Sequence, residues 1–196
     1  MTDETRLIQQ IKKGNTAAFE ELAAGYQKQI FTLAYRMCGN QEDAADMAQE
    51  ALIKVYRNID KFKGDSKFST WLYRVVTNTC LDEMKKMKRK QVYSLDDELE
   101  TKDGSLKRDI EDTAPTPEEK AEQTERSEAI QDALMQVSET HRKVLVLRDV
   151  QGFSYEEIAG MLECSEGTVK SRLSRARESL RKVLKENKEL FERFIV

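Results

Sequence analysis

Hydrophobic residues recur every three or four positions along the first ninety residues, which is the period of an amphipathic helix. The pattern predicts four helices: one from near residue 3 to Gly14, one with apolar residues from 19 to 37, one over 42–58 and one over 70–88. Gly14 and Gly39 are the expected helix stops. Ser69 is the expected N-cap of the fourth helix, because its hydroxyl can accept a hydrogen bond from a free backbone N–H.

The same period returns after residue 127. One helix carries Ile130, Leu134 and Val137, and the next is expected to begin after Ser138 and to end at Gly152. Residues 154–157 then read Ser-Tyr-Glu-Glu, which is a capping box and predicts a further helix start. A short turn at 163–165 leads to a longer helix whose apolar stripe runs from 169 to 184. No alternating β pattern is found, so the predicted fold is all-α.

A segment without periodicity separates the two helical series. Residues 94–126 hold 12 acidic and five basic side chains, together with Gly104, Pro115 and Pro117. A segment of this length is too long for an ordinary loop inside one domain. We therefore predict two small helical domains, over 1–92 and 127–196, joined by a flexible acidic linker over 93–126.

The second domain contains the spacing of a helix-turn-helix. A short helix, a three-residue turn and a longer helix follow one another, with small Ala159 where the helices cross and Val169 between them. The free face of the second helix would then enter the major groove of DNA. The predicted DNA contacts on this recognition helix are Thr168, Lys170, Ser171, Arg172, Ser174, Arg175 and Arg177. The alternative is a solvated basic helix in a plain bundle.

Charge is distributed unevenly, although the chain as a whole carries a net charge of −3. Residues 84–91 contain five basic and no acidic side chains, and residues 166–182 carry a net charge of +4. The linker between them has a net charge of −7 over residues 94–126. Two basic surfaces separated by an acidic connector favour nucleic-acid binding at two places.

The fourth predicted helix carries an unusual stripe. Trp71, Arg74, Asn78 and Asp82 follow one another at helical spacing. The loop before them contains Lys61, Lys63 and Lys67. Aromatic rings that stack on bases and basic residues that follow the backbone are the usual means of holding single-stranded nucleic acid. The alternative is that Trp71 belongs to the core.

Two sets of motifs resemble a known family, the extracytoplasmic-function (ECF) sigma factors. Their region 2 is similar to residues 43–51, 55–57 and 62–74, and their region 4 is similar to residues 153–159 and 167–177. The resemblance extends over about residues 3–90 and 125–185. It implies a protein that binds core RNA polymerase and directs promoter recognition, melting and the initiation of transcription.

The resemblance also implies roles for individual surfaces. Region 2 would bind the −10 element through Lys61, Lys63, Lys67, Trp71, Arg74 and Asn78, and upstream duplex through Lys85, Lys88 and Arg89. Region 4 would read the −35 element. The β′ clamp helices of the polymerase would bind an acidic surface formed by Asp43, Asp46, Gln49 and Glu50. The β flap is the other expected polymerase contact. An anti-sigma factor is an expected partner, and the linker is either a segment near the RNA exit path or a plain tether.

The main alternative is a stand-alone helix-turn-helix regulator that binds duplex DNA without polymerase. Such a regulator would need neither the acidic surface nor the Trp71 loop. An enzyme is not expected, because the chain has a single histidine, His141, and no Gly-rich phosphate loop. Three widely spaced cysteines and no Cys/His cluster predict reduced buried thiols and neither a metal site nor a cofactor. We expect a cytoplasmic protein that is not inserted in a membrane.

Overall fold

The computed structural model describes residues 3–93 and 117–186, and within these ranges it contains helices and no strand. In the first domain they are α1 (Asp3–Lys12), α2 (Thr16–Ala24), α3 (Gln27–Cys38), α4 (Gln41–Asn58), a 3₁₀ turn (Ile59–Lys61) and α5 (Phe68–Tyr93). In the second they are α6 (Pro117–Gln136), α7 (Glu139–Leu145), a π-helical turn (Val146–Val150), α8 (Tyr155–Met161) and α9 (Glu166–Glu186). The all-α prediction is confirmed for this part of the chain.

The core of the first domain lies between α3, α4 and α5. Its most buried side chains include Ile30 and Leu33 of α3, Met47 and Val55 of α4, and Leu72 of α5. Asn40 caps α4, because its side chain accepts hydrogen bonds from the backbone N–H groups of Glu42 and Asp43. Helix α1 covers one side of this core through Leu7, Ile8 and Ile11.

The single helix predicted over 19–37 is wrong, because the chain breaks between α2 and α3. Gly25 caps α2, and Tyr26 leaves the helical path with its hydroxyl donating to Glu4 at 2.5 Å. The Tyr26 ring also packs edge-on against Phe68, at 5.8 Å between centroids. Both helices bury the same face, so the hydrophobic period continues through the break and conceals it.

The predicted start of the fourth helix at residue 70 is also wrong, by two residues. Helix α5 begins at Phe68, and Ser69 lies inside its first turn instead of at the N-cap. The N–H of Trp71 donates to the carbonyl of Lys67, which fixes the start of the helix. Phe68 is buried beside Phe62 and Tyr26, and this contact draws the first turn into the core.

Part of the predicted linker is helical. Helix α6 begins at Pro117, ten residues before the predicted start of the second domain, while residues 94–116 lie outside the described residues. Proline is favoured at the first position of a helix, where no N–H is needed. The acidic run that suggested an irregular segment thus includes the first turns of a helix.

The second domain confirms the predicted caps. The side chain of Ser138 accepts from the N–H of His141 at the start of α7. The capping box is complete, since the Ser154 hydroxyl accepts from the N–H of Glu157 and the Glu157 carboxylate accepts from the N–H of Ser154. Helices α7, α8 and α9 enclose a core that includes Leu145, Ile158 and Leu173.

The turn of the helix-turn-helix contains the one non-glycine residue with positive φ in the part of the chain described, Glu163 at 51°. The left-handed conformation costs an L-residue about 1–2 kcal/mol. We expect Glu163→Gly to raise the free energy of unfolding by about 0.5–1 kcal/mol, since glycine relieves this cost but gives the unfolded chain more freedom. Urea denaturation measures the change, and a destabilised variant would contradict the assigned turn geometry.

The cysteines carry no disulfide. Cys38, Cys80 and Cys164 are free, and Cys80 is buried whereas the other two are half-buried. Burial raises the pKa of the Cys80 thiol to about 12, so this side chain stays protonated near neutral pH. The prediction that all three thiols are buried is therefore confirmed for Cys80, whereas Cys38 and Cys164 are only half-buried.

The two domains are in contact with each other. Helices α6 and α7 pack on the C-terminal end of α3, and α8 packs on the N-terminal half of α5. The sequence pattern contained no signal for this arrangement, because the residues that meet are separated by 87 to 105 positions.

Candidate nucleic-acid interface

The recognition helix is held by an apolar plug between α8 and α9. Val169 of α9 is fully buried, as is Ile158 of α8, whereas Ala159 is half-buried at the crossing. The Ser165 hydroxyl caps α9 by accepting from the N–H of Thr168. The crossing predicted from the small Ala159 and the plugging Val169 is therefore present.

The opposite face of α9 is open to solvent. Lys170, Ser171, Ser174, Arg175 and Arg177 are exposed, and Thr168 and Arg172 are half-buried. The structure thus brings the predicted DNA contacts of the second domain together on one helix. The Glu166 carboxylate lies 3.7 Å from the Lys170 ammonium, so it reduces the positive charge of this face near the N-terminal end of α9.

Neighbouring elements hold two of these cations in place. The carboxylate of Asp149, in the π-helical turn, accepts from Nη2 of Arg177 at 2.5 Å and from its Nε at 3.2 Å. This hydrogen bond raises the pKa of Arg177. Lys170 lies over the ring of Tyr155, 5.5 Å from its centroid, and Arg148 lies over the same ring at 4.9 Å.

Asp149, Arg148 and Tyr155 were missed by the sequence prediction. The signal that could have found Tyr155 is its place as the first residue after the Ser154 cap, beside the turn of the helix-turn-helix. Asp149 and Arg148 give no periodic signal, because they lie in a π-helical turn that shifts the register of α7. Their proximity to α9 follows from tertiary packing.

The loop before α5 forms a second basic surface. Lys61, Lys63, Lys67, Arg74 and Asn78 are all exposed around the start of α5. One backbone carbonyl of this loop, that of Phe62, accepts from the Lys12 ammonium at 2.6 Å. The loop is therefore tied to α1, and its own lysines remain at the surface.

Trp71 does not lie on the exposed stripe predicted for it. Its residue is only 7% exposed, and its ring packs against Phe62 at 5.6 Å and against Phe68 at 5.8 Å between centroids. The stripe of Trp71, Arg74, Asn78 and Asp82 borders the core at one end, so spacing alone could not separate its buried member from the exposed ones. The Trp71 ring instead packs against Phe62 and thereby supports the loop before α5.

The basic run after this surface continues along α5. Lys85 and Arg89 are exposed on the helix, and the side chain of Lys88 lies outside the described residues. Lys86 pairs with Glu83 at 2.7 Å on the same helix. The exposed cations in the last turns of α5 therefore continue the basic surface away from the loop.

The four residues of the predicted acidic surface lie on α4. Asp46 and Gln49 are exposed, and Asp43 and Glu50 are half-buried. Partial burial raises the pKa of Asp43, and the neighbouring charges of Asp46 and Glu42 raise it further. Carboxylates that repel one another in this way gain from a basic partner.

One apolar residue beside the acidic cluster was missed. Ile53 lies three positions after Glu50 on α4 and is 37% exposed, and Tyr56 one turn further is 38% exposed. Ile53 follows Gln49 by four residues and Glu50 by three, and Tyr56 follows Ile53 by three, which places both outside the core face of α4. Ile53 and Tyr56 thus add exposed apolar area beside the carboxylates of α4.

No helix in the two described ranges is both long and apolar enough to cross a membrane. In the same residues, no three His, Cys, Asp or Glu side chains converge in a way that could hold a metal ion.

Known protein families match the two domains of the chain in the same order. The chain matches the family described as Sigma-70 region 2 over residues 22–90 and the family described as Sigma-70, region 4 over residues 127–180. It is similar to the ECF RNA polymerase sigma factor SigW of Bacillus subtilis, with 40% identity across 91% of this chain and 95% of that protein. The ECF RNA polymerase sigma-E factor of Escherichia coli is 35% identical across 92% and 93%.

Two solved structures share the fold. One is the sigma factor RpoE in complex with the anti-sigma factor NepR from Bartonella quintana, with a TM-score of 0.65 and 25% identity across 85% of this chain and 96% of that one. The other is CnrH in complex with the cytosolic domain of CnrY, with a TM-score of 0.65 and 22% identity across 95% and 99%.

Proposed function

Because this chain belongs to the ECF group of sigma-70 factors, we propose that three of its surfaces divide the work of promoter-specific initiation. As an ECF-type sigma factor it binds core RNA polymerase and directs promoter recognition, melting and initiation. The observation that carries the assignment of surfaces is the open basic face of α9, held by a complete helix-turn-helix.

Helix α9 is the proposed reader of the −35 element. Arg and Lys suit guanine edges and phosphates, and Ser suits either. Lys170, Ser171, Ser174 and Arg175 are exposed along the middle of the face and are the proposed base-edge contacts. Arg177 is assigned to phosphate, because Asp149 fixes the direction of its guanidinium.

The loop and α5 are the proposed −10 surface. Lys61, Lys63, Lys67 and Arg74 would follow the backbone of the separated strand, and Asn78 would contact an extruded base. Extruding a base costs a few kcal/mol, which the pocket must offset. Trp71 contributes by holding the loop in shape, and Lys85, Lys88 and Arg89 would bind duplex phosphates upstream.

The acidic cluster on α4 is the proposed polymerase contact. Asp43, Asp46, Gln49 and Glu50 would meet the basic side chains of the β′ clamp helices, and exposed Ile53 would add a desolvated centre. The β flap is the proposed contact of the second domain. An anti-sigma factor is the further proposed partner, in line with the complex of a similar sigma factor with NepR.

We propose that the chain has no enzymatic activity of its own, because the catalytic step of transcription belongs to the polymerase. The cytoplasm is the proposed location, because the polymerase acts there and because Cys38, Cys80 and Cys164 are all unpaired.

Run-off transcription tests the proposed function. Core polymerase is supplied with the purified chain and a library of promoter fragments, and specific transcripts that depend on the chain are expected. The same experiment identifies the −35 and −10 sequences. Binding to duplex DNA without initiation and without association with core polymerase would instead indicate a stand-alone helix-turn-helix regulator.

Lys170→Ala and Arg175→Ala are each expected to weaken recognition of the −35 element by about 1–3 kcal/mol, since each removes a contact to base edges or phosphate. Affinity for the duplex element is measured by fluorescence anisotropy. Arg181→Ala is the control, because Arg181 is exposed on the same helix but lies more than one turn beyond Arg175. Equal losses in all three variants would contradict the assigned face.

A further inference from the structure

The loop before α5, residues 60–67, is fixed to the rest of the first domain at Phe62. The Phe62 ring packs against Phe68 at 5.5 Å and against Trp71 at 5.6 Å between centroids. Its N–H donates within the preceding 3₁₀ turn, and its carbonyl accepts from the Lys12 ammonium of α1 at 2.6 Å. The ring, the N–H and the carbonyl of one loop residue are thus each held by a different part of the domain.

The basic segment of the loop begins directly after Phe62. Lys63 and Lys67 are exposed, and between them Gly64 has a φ of +85°. No described residue apart from its two neighbours comes within 4 Å of the position that a β-carbon would take at Gly64. The segment therefore projects from the domain between two fixed ends, Phe62 and the first turn of α5, and a shift of Phe62 would move the lysine that follows it.

Helix α1 contacts the aromatic rings beside the loop at both of its ends. Near its start, Glu4 accepts from the Tyr26 hydroxyl at 2.5 Å, and the Tyr26 ring packs against Phe68. Near its end, Lys12 binds the carbonyl of Phe62. Lys12 follows Glu4 by eight positions, which is about 12 Å along a helix at 1.5 Å per residue. Three buried apolar side chains fix α1 on the core, so it is a firm support for this corner of the domain.

The hydrogen bond from Lys12 supplies a direction that ring packing does not. Apolar contacts are non-directional, so Phe68 and Trp71 hold the Phe62 ring without fixing the peptide that follows it. A hydrogen bond from an ammonium is short and stronger than one between neutral groups. Because it ends on the carbonyl of Phe62, it fixes the orientation of the peptide that leads to Lys63. Lys12 is exposed, so water competes for its ammonium and the bond adds little to the stability of the whole domain.

Building on the proposed −10 surface, we propose that Lys12 is a positioning residue for base recognition. By holding the carbonyl of Phe62, it sets the place at which the loop meets the extruded base of the separated strand. It acts through the loop and not through a DNA contact of its own. A loop that is ordered before DNA arrives loses less conformational freedom on binding, and this preserves affinity. Recognition at the −10 surface therefore depends on a residue of α1 that lies 50 positions before Phe62 in the chain.

The first measurement uses Trp71, the single tryptophan of the chain, whose ring lies 5.6 Å from that of Phe62. Quenching of its fluorescence by acrylamide reports, without DNA, how well the loop covers the ring. Lys12→Met keeps a long side chain with high helix propensity but cannot donate a hydrogen bond. We expect its quenching constant to rise about twofold, because a loosened loop uncovers the ring more often.

Lys13→Met is the matched control, because it removes the same charge at the next, exposed position of the chain. Its quenching constant is expected to equal that of the wild type. Lys12→Arg can donate to the same carbonyl and is expected to restore the wild-type value. Circular dichroism should show the same unfolding midpoint in all three variants, since both lysines are exposed.

The second measurement is base recognition by the full chain. Fluorescence anisotropy compares a labelled non-template strand, carrying the −10 element of a promoter found by run-off transcription, with strands that are abasic at each position of the element in turn. The wild type identifies the extruded base as the position whose removal costs the most affinity. We expect Lys12→Met to reduce this preference for the intact strand at least about threefold, since part of the binding energy is then spent on ordering the loop. Lys12→Arg and Lys13→Met should keep the preference.

The outcomes separate this proposal from the one on which it rests. An unchanged quenching constant in Lys12→Met, or an equal rise in Lys13→Met, would overturn the support of the loop by Lys12. A raised constant with an unchanged base preference would overturn its role in recognition. An equal loss of affinity for intact and abasic strands would make Lys12 a phosphate contact and would also contradict the proposal. If run-off transcription yields no promoter, the proposed function fails together with the role in base recognition, whereas the quenching constants still decide whether Lys12 holds the loop.

Discussion

Replacing Trp71 with alanine is expected to lower the free energy of unfolding by about 3–5 kcal/mol, the usual cost of removing a buried tryptophan. The ring is enclosed by Phe62 and Phe68 and supports the loop that carries the basic residues of the −10 surface. Its removal leaves a cavity at the point where α5 begins. Urea denaturation followed by circular dichroism measures the change.

The control is Arg74→Ala, on the next turn of the same helix. Arg74 is exposed, so its replacement is expected to change the free energy of unfolding by no more than about 0.5 kcal/mol. It should nevertheless weaken binding of the single-stranded −10 element, since a backbone contact is lost. The opposite result, in which Trp71→Ala remains stable but loses DNA binding, would place the ring on the DNA-contacting surface.

The difference between Trp71 and Arg74 shows what a periodic pattern can establish. Both belong to one stripe of α5, and spacing assigns them to the same side of the helix. Burial depends on what stands opposite, and here the ring of Phe62 comes from a loop whose path the pattern does not describe. The side of the helix could be predicted from the sequence, but not the depth of each residue.

Local signals gave the more accurate predictions. The Ser154 capping box and the Ser138 cap are both present, because each depends on residues within one helical turn. The break between α2 and α3 was hidden, since Tyr26 leaves the helix to bind Glu4, a residue 22 positions away. Gly25 alone is a weak signal, because isolated glycines are tolerated inside helices.

The contact between the two domains could not be predicted from the hydrophobic pattern of the sequence. Arg36 and Arg142 are each compatible with an ordinary exposed helix position in the sequence. Arg36 donates to the carbonyl of Ser127 and Arg142 to the carbonyl of Met37, and backbone carbonyls, which every residue offers, leave no trace in the side-chain pattern. Such hydrogen bonds can be found only in the folded chain.

The acidic cluster of α4 offers the largest expected functional effect. We expect the double reversal Asp46→Lys with Glu50→Lys to lower affinity for core polymerase at least about 100-fold, close to 3 kcal/mol, because like charges placed opposite one another cost several kcal/mol. Asp46 is exposed and Glu50 is 3.8 Å from Lys54, so neither is needed by the core. Surface plasmon resonance with immobilised core polymerase measures the affinity.

The matched control is Glu20→Lys with Glu21→Lys, which changes the net charge of the chain by the same amount. These two residues are exposed on α2, a different helix from the acidic cluster, so polymerase binding should stay within a few-fold of the wild type. Equal losses in both double variants would mean that net charge, and not the α4 surface, governs association. A loss confined to α4 would also predict that Ile53→Ala weakens binding, since an exposed apolar residue beside a docked ion pair excludes water from it.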